Sequence, residues 1–291
     1  MKKNKFNFGN FILAAVMILW GLIILYPFYN SILVSFMSQA EYMRKPFALF
    51  VEKPTFVAYE EIFSDGKFFY GYKTTLTVML FKLPLSLIMV TAMGYALSRK
   101  KFLLSKTINN LTVFTMYFGG GIIPLYLLVK DYGLMGNITS IILVGSFSVY
   151  NMVLVKNFFY TIPDSLEESA KLDGANDLII FSRIYIPLAK PIIATVALFT
   201  AVTIWNSWYE PMLFISDARK WPLQLVLREI ISNATATVKE DVQGEELLTK
   251  ETFALNVQMA SVVVTMLPIM LVYPFLQKYF MSGLTVGAVK G

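Results

Sequence analysis

The chain has 291 residues, of which 56% are hydrophobic and only 15% charged, with a formal net charge of +6. That is too apolar for a soluble domain whose surface must meet water, so the sequence predicts an all-α polytopic protein of the bilayer. The absence of Cys and His excludes a disulfide framework and a thiolate site, removes the commonest general base and proton relay, and weakens most enzymatic readings.

Spanning helices need roughly 20 apolar residues. Six stretches qualify, at 11–36, 73–97, 108–129, 138–161, 191–215 and 255–277. The first follows Met1-Lys2-Lys3-Asn4-Lys5, which imitates a signal peptide. Its apolar run is too long for one and no small-residue cleavage site closes it, so a retained first span is expected. Short basic segments, Lys2 to Lys5 and Arg99 to Lys106, fall on one side of the resulting topology. By the positive-inside rule both termini are expected in the cytoplasm. The positive charge therefore reflects membrane topology, and no nucleic-acid partner is expected.

Residues 37–72 form the first outer segment and are long for a connector. Gly66 and Gly71 within it imitate a phosphate-binding loop, but Tyr72 separates Gly71 from Lys73-Thr74 and the required Gly-Lys-Ser/Thr order fails. In the second span, Lys82 places an amine at bilayer depth, where it needs a pairing partner or a water-filled cavity. The third span carries Phe118-Gly119-Gly120-Gly121-Ile122-Ile123-Pro124, whose glycines suit either close helix packing or a break.

Between the fourth and fifth spans lies a polar segment, 163–191. Ser165 followed by Glu168 fits a capping box, so a helix is expected to start near Leu166 and to stop near Asp173, with Gly174 turning in a left-handed conformation. Asn176 or Asp177 can cap a second short helix carrying Leu178, Ile179, Phe181 and Ile184, until Pro187 and Pro191 break the pattern. Two short helices meeting at a glycine elbow also describe an ordinary interfacial amphipathic hairpin.

Near the outer end of the fifth span stand Trp205, Asn206, Trp208 and Tyr209, offering ring faces for apolar C–H surfaces and an amide for hydroxyls. Aromatic residues also gather at membrane interfaces for amphipathic reasons alone. Glu210 is near enough to the outer end to snorkel. The second outer segment, 216–254, holds an apolar helical stripe at 221–232 and an acid-rich stretch at 239–251. These outer segments either only cap the bundle or serve a docking role on the outer surface. No catalytic constellation and no metal-ligand set is visible in the spans.

Glu168-Ser169-Ala170, Gly174 and Ile184-Tyr185-Ile186-Pro187 together resemble the Glu-Ala-Ala loop of permease subunits of binding-protein-dependent ABC importers. Ser169 stands where alanine is usual and Ile186 where leucine is usual. The resemblance implies a type I importer permease fold, with a cytoplasmic N-terminus, first helix and outer loop at 1–72, a transmembrane domain at 73–277 and a cytoplasmic tail at 278–291. It implies that Glu167, Glu168, Ser169, Ala170, Asp173, Gly174, Ile184 and Pro187 engage an ATPase subunit, with Glu168 meeting a basic residue there. Ser282 to Gly291 is similar to the tail of maltose-type sugar permeases, which implies an ATPase contact by Gly287, Lys290 and Gly291 through an extended strand. The triple-glycine segment resembles the subgroup for complex oligosaccharides and polysaccharide fragments.

The implied partners are an ATPase dimer, which binds the ATP and Mg, a second and different permease, a solute-binding protein, a carbohydrate and the lipid of a bacterial plasma membrane. The chain itself would carry no cofactor. Trp205, Asn206, Trp208, Tyr209, Lys82 and Glu210 are the substrate-path candidates. An ion-coupled secondary carrier would also have six spans, but it would usually need intramembrane carboxylates or His, and here only Lys82 and Glu210 are available.

Overall fold

A computed structural model describes residues 8–64, 66–99, 102–240 and 253–288. In chain order the α-helices are α1 (Phe8–Ser35), α2 (Gln39–Arg44), α3 (Val57–Ser64), α4 (Lys67–Ser98), α5 (Ser105–Tyr117), α6 (Ile122–Asp131), α7 (Ile138–Leu143) and α8 (Val149–Phe159). They continue with α9 (Asp164–Leu172), α10 (Asp177–Ile180), α11 (Ile186–Leu188), α12 (Lys190–Trp205), α13 (Tyr209–Phe214), α14 (Leu223–Glu240) and α15 (Ala254–Ala288). No strand occurs among the described residues.

Among the described residues, three helices are long and apolar enough to cross a membrane, over Phe11–Ser35, Lys67–Ser98 and Ala254–Val272. Two bent pairs bring the total to five if each is one span: α5 with α6, bent by 111°, and Asp177–Leu188 with α12, bent by 80°. The first bend falls on Gly119 and Gly120, with Gly121 as the N-cap of α6 at φ 85°. Of the two roles open to these glycines, the break is the one realised. A Cβ on Gly119 or Gly121 would have nothing within 4 Å. The predicted span 138–161 is divided as well, because α7 ends at Leu143 and α8 begins at Val149 under the Ser148 cap.

The chain packs as two compact units, Met1–Phe68 with Leu227–Pro268, and Phe69–Val226 with Ile269–Gly291. Residues 227–240 and 253–268 thus group with the N-terminal part. In the first unit, Asn256 donates from Nδ2 to the Met37 carbonyl at 3.2 Å, and Tyr42 and Phe253 rings lie 5.5 Å apart. Met37, Ala58, Phe68 and Ala260 are fully buried there, and the Ser35 and Tyr59 hydroxyls are 2.7 Å apart.

In the second unit one apolar cluster gathers Val90, Leu97, Met152, Val155, Phe159, Ile180, Tyr185 and Val196. A second gathers Val78, Val129, Ile141, Ile204, Phe214 and Ile215. Asn151 of α8 donates to the Thr200 hydroxyl of α12 at 3.3 Å in a buried link. Gly71 proves to be a packing residue: a Cβ there would stand 3.1 Å from the Leu223 Cα. Close backbone approach is therefore what this glycine provides.

Gly71→Val should lower stability by about 1–3 kcal/mol, the usual range for overpacking. Gly21→Val, where a Cβ meets nothing within 4 Å, should be near neutral. Thermal unfolding of the full chain in detergent, followed by tryptophan fluorescence, compares the two; equal midpoints would refute the close-packing role of Gly71.

Candidate functional site

The polar segment 163–191 folds as a helical pair fixed to the end of α4. Helix α9 starts earlier than the capping box predicts. Pro163 occupies the N-cap and makes no side-chain cap bond, so Ser165 lies inside the first turn. Proline there pre-sets the backbone for the turn, while Asp164 and Glu167 supply acid to the positive end of the helix. The end of α9 is as expected. Gly174 has φ 80°, its N–H donates to the Lys171 carbonyl at 3.1 Å, and the Ala175 N–H donates to the Ala170 carbonyl at 2.9 Å. These two bonds make a Schellman motif with glycine at the left-handed position.

Asn176 caps the second helix, its side chain accepting from the Ile179 N–H at 2.9 Å. Pro187 does not stop this helix where expected. The backbone opens into a π-helical turn over Phe181–Tyr185, in which the Ile186 N–H donates to the Phe181 carbonyl, and helical structure continues to Leu188. A wider turn accommodates a proline that lacks the N–H of a regular ladder. Pro191 likewise opens α12 rather than ending a helix, since it sits in the first turn.

Arg99, which the sequence marks only as a topogenic charge, is the residue that ties this pair down. Its guanidinium donates to a Glu167 carboxylate oxygen and to the Tyr185 hydroxyl. It also lies 4.2 Å from the Tyr185 ring centroid and 4.9 Å from that of Tyr95. Lys171 donates to the other Glu167 oxygen at 2.5 Å and approaches Asp177 at 3.7 Å. The Tyr95 ring is 5.0 Å from both Phe181 and Tyr185, while Phe159 stands 5.5 Å from Tyr185. A carboxylate, a guanidinium and a phenol thus interlock α4, α9 and the π-turn.

Burial alone would raise the Glu167 carboxyl, but hydrogen bonds from Lys171 and Arg99 and their charges outweigh it and hold the group below its ordinary 4.5. For Arg99 burial works against the charge, and the Tyr185 and Glu167 contacts override it, raising the group further. The signal that could have found Arg99 is chemical. An acid, a basic end of a span and a tyrosine are what a bidentate, stacking guanidinium needs. Their separation along the chain hides this.

The other candidates distribute clearly. Glu168, Ser169, Asp173, Gly174 and Pro187 are exposed. Ala170 and Ile184 are half-buried against the apolar cluster. Glu167, expected to share an outward role with Glu168, is turned inward, with 16% of its side chain exposed in its ion pair with Arg99. Leu172 and Leu178 are 89% and 72% exposed beside the glycine elbow, so α9 and α10 present an acidic and apolar outer face. Gly287 lies in the helical continuation of α15 to Ala288, where an extended strand was expected. The backbone ladder of α15 runs on because neither Gly283 nor Gly287, at about 1 kcal/mol each relative to alanine, suffices to end it. Lys290 and Gly291 lie outside the described residues.

Among the substrate-path candidates, Trp205 is buried, so its ring faces are not presented to open space as expected. It packs edge-on to Tyr72 at 6.2 Å, and its indole N–H has no acceptor among the described residues. Asn206 and Tyr209 are exposed, and Gln224 donates to the Asn206 amide oxygen at 3.3 Å. Trp208 and Tyr209 rings lie 5.4 Å apart, and Ser207 donates to Glu210 at 3.4 Å. Lys82 has found its partners: Nζ donates to the carbonyls of Ile141 at 2.9 Å and Val144 at 2.7 Å, at the frayed end of α7. Of its two expected solutions, pairing is the one seen, and a cation at carbonyls freed by a helix end is favourable.

Residues 85–286 match the family model of the binding-protein-dependent transport system inner membrane component. The chain is 37% identical over its whole length, and that of the relative, to the polygalacturonan/rhamnogalacturonan transport system permease protein YtcP of Bacillus subtilis. It is 38% identical to protein LplC of the same organism, over 93% of this chain and 91% of that one. The fold matches a chain from the crystal structure of a bacterial ABC transporter involved in the import of the acidic polysaccharide alginate. That match has a TM-score of 0.84 and 31% identity, covering 96% of this chain and 99% of that one.

The Arg99 tie should respond to pH in one direction. The folded chain binds the Glu167 proton less tightly than the unfolded chain, so the tie is at full strength above about pH 4.5 and fades as pH falls through the lowered value. Because this chain has no native Cys, nitroxides at Leu103→Cys and Leu172→Cys report it directly. Their distance distribution by pulsed electron resonance should be narrow at pH 7 and broaden as the pH falls below 4.5 through the lowered value. Adding Arg99→Gln should broaden it at every pH, through loss of charged hydrogen bonds with a net effect of about 1.5–3 kcal/mol. A distribution indifferent to both changes would exclude the tie.

Proposed function

We propose, from the premise that this chain belongs to the family of binding-protein-dependent transport system inner membrane components, that it couples ATP hydrolysis in a partner to passage of an acidic or complex oligosaccharide. The chain is a membrane-embedded permease subunit of the carbohydrate ABC importer class. A polysaccharide fragment is the favoured cargo because YtcP is described by polygalacturonan/rhamnogalacturonan transport and the matched crystal structure by alginate import. The partners of this reading are an ATPase dimer holding ATP and Mg, a second, different permease that completes the path, and a solute-binding protein seated on the outer segments. Both termini lie in the cytoplasm of a bacterial cell.

One observation supports the coupling role above the others. The Schellman elbow carries exposed Glu168, Leu172 and Leu178 on a helical pair whose inner face is tied to α4 through Arg99. A docking element must present a complementary surface and must also transmit movement, which calls for a rigid attachment to a spanning helix. Glu168 is the charged contact, Ala170 and Gly174 keep the helical pair compact, and Asp173, Ser169 and Pro187 border the face. Glu167 acts inward as the attachment, and Ile184 packs beneath. Gly287, Lys290 and Gly291 add a tail contact with the ATPase. On the outer side, Asn206, Trp208 and Tyr209 line the path, with Trp205, Glu210 and Lys82 supporting the backbone breaks around it.

Glu168→Lys tests the docking face. Membrane insertion should be unchanged, while ATPase recovered with the affinity-purified chain should fall at least tenfold, as expected for about 2–5 kcal/mol at a charge-reversed contact. Uptake of oligogalacturonide should fall in parallel. Normal uptake with normal recovery of the complex would sink the docking role, and uptake that persists after ATP depletion with ion gradients intact would favour a secondary carrier.

A further inference from the structure

Between α2 and α3 the chain makes a short apolar tip, Pro46-Phe47-Ala48-Leu49-Phe50-Val51, on a polar base. The base is closed by Lys45, which donates to Glu52 at 2.6 Å, and by Glu41, whose carboxylate accepts from the Glu52 N–H at 2.6 Å and the Lys53 N–H at 3.4 Å. The tip it supports has Phe47 at 77%, Leu49 at 58% and Phe50 at 79% exposure. Such a cluster on a fixed base is a surface with an occupant.

The position of the tip identifies that occupant. The Tyr29 hydroxyl of α1 donates to the Leu49 carbonyl at 2.5 Å, which sets the tip beside α1 at the level of Tyr29. Helix α1 is apolar and exposed through Phe28 and Tyr29, whereas Val34, Ser35 and Met37 are buried under protein. Roughly 20 residues cross the hydrocarbon, and counted from Phe11 this length ends at Asn30. The covering of the helix begins at the same place, so Tyr29 marks the membrane boundary and about 9 Å of helix continues beyond it. Arg44 and Lys53, both exposed, flank the tip on its base side. An exposed aromatic and aliphatic tip flanked along the chain by exposed cations matches the acyl and phosphate layers of a lipid surface.

We infer that residues 46–51 are an interfacial anchor that inserts into the outer leaflet alongside α1, with Arg44 and Lys53 at the headgroup phosphates. The tip thereby holds the first outer segment down on the bilayer. The docking of the solute-binding protein is left to the remainder of the outer surface. The inference requires that α1 crosses the membrane with its N-terminal end inside, and is independent of the substrate and of ATP coupling.

The chain's lack of Cys makes it directly testable. Single variants Phe47→Cys, Phe50→Cys, Met17→Cys and Glu60→Cys, each in the full chain assembled with its partner subunits in nanodiscs containing phosphatidylglycerol, carry a nitroxide. Collision with oxygen, which partitions into lipid, is compared with collision with a water-soluble nickel chelate. The oxygen-to-nickel ratio at 47 and 50 should exceed that at 60 at least threefold and approach that at 17, the lipid-facing reference. Ratios at 47 and 50 equal to that at 60 would place the tip in water and overturn the inference. Protection of both labels from both reagents would show a protein partner instead and overturn it as well, as would an aqueous reading at 17.

Discussion

The guanidinium of Arg99 is the interaction on which the cytoplasmic half of the proposed mechanism depends. Placed directly after α4, it brings together a carboxylate from α9, a phenol from the π-turn and the ring of Tyr95 in α4. Only arginine combines a planar donor fork with a face that stacks on aromatics. Without that junction, α9 and α10 would be a short amphipathic hairpin of the kind that lies loosely at an interface. With it, displacement of the hairpin is displacement of α4. The inward turn of Glu167 and the outward turn of Glu168 follow from the helical period, and adjacent acids thereby acquire different duties.

A second constraint comes from lipid, which offers no water to an opened backbone. The chain nevertheless interrupts its spans at Gly119 to Gly121, at 144–148 and at Asn206 to Trp208. Each interruption has local chemistry to match. Gly121 supplies a positive φ at the first, Lys82 receives two carbonyls beside the second, and the Asn206 amide donates to the Val202 carbonyl at 2.9 Å at the third. Irregular backbone at membrane depth is tolerated where it is buried in protein or lines a cavity. The Lys82 amine is accounted for by the carbonyls of Ile141 and Val144 at the end of α7 without invoking cargo.

The two ends of α1 behave differently for the same physical reason. Its apolar length is exposed, while near its end Val34 and Ser35 are buried and the Ser35 and Tyr59 hydroxyls lie 2.7 Å apart. On the inferred placement of the membrane, the protein core begins where the hydrocarbon ends. An apolar tip tied at that level by Tyr29 has an apolar medium to enter, which makes the exposure of Phe47 and Phe50 consistent with a stable native state.

What the sequence determined by itself is set by local rules. Apolar length announces spans, glycine at position 174 announces the elbow, Asn176 announces its cap, and the acid-to-glycine-to-proline spacing announces the family, because each depends on residues close in the chain. It also misled locally. Ser165 had the chemistry of a cap, yet Pro163 took the place; Pro187 had the chemistry of a stop, yet a π-turn absorbed it; and the terminal glycines suited a strand where α15 ran on. Only the tertiary structure decided that Arg99 is an attachment, that Gly71 is a contact with Leu223, that Trp205 is buried, that Lys82 serves the end of α7 and that 253–268 packs with the N-terminal part. These are pairings between residues tens of positions apart. Composition and periodicity carry no information on which distant partner satisfies a given charge, carbonyl or cavity; packing does.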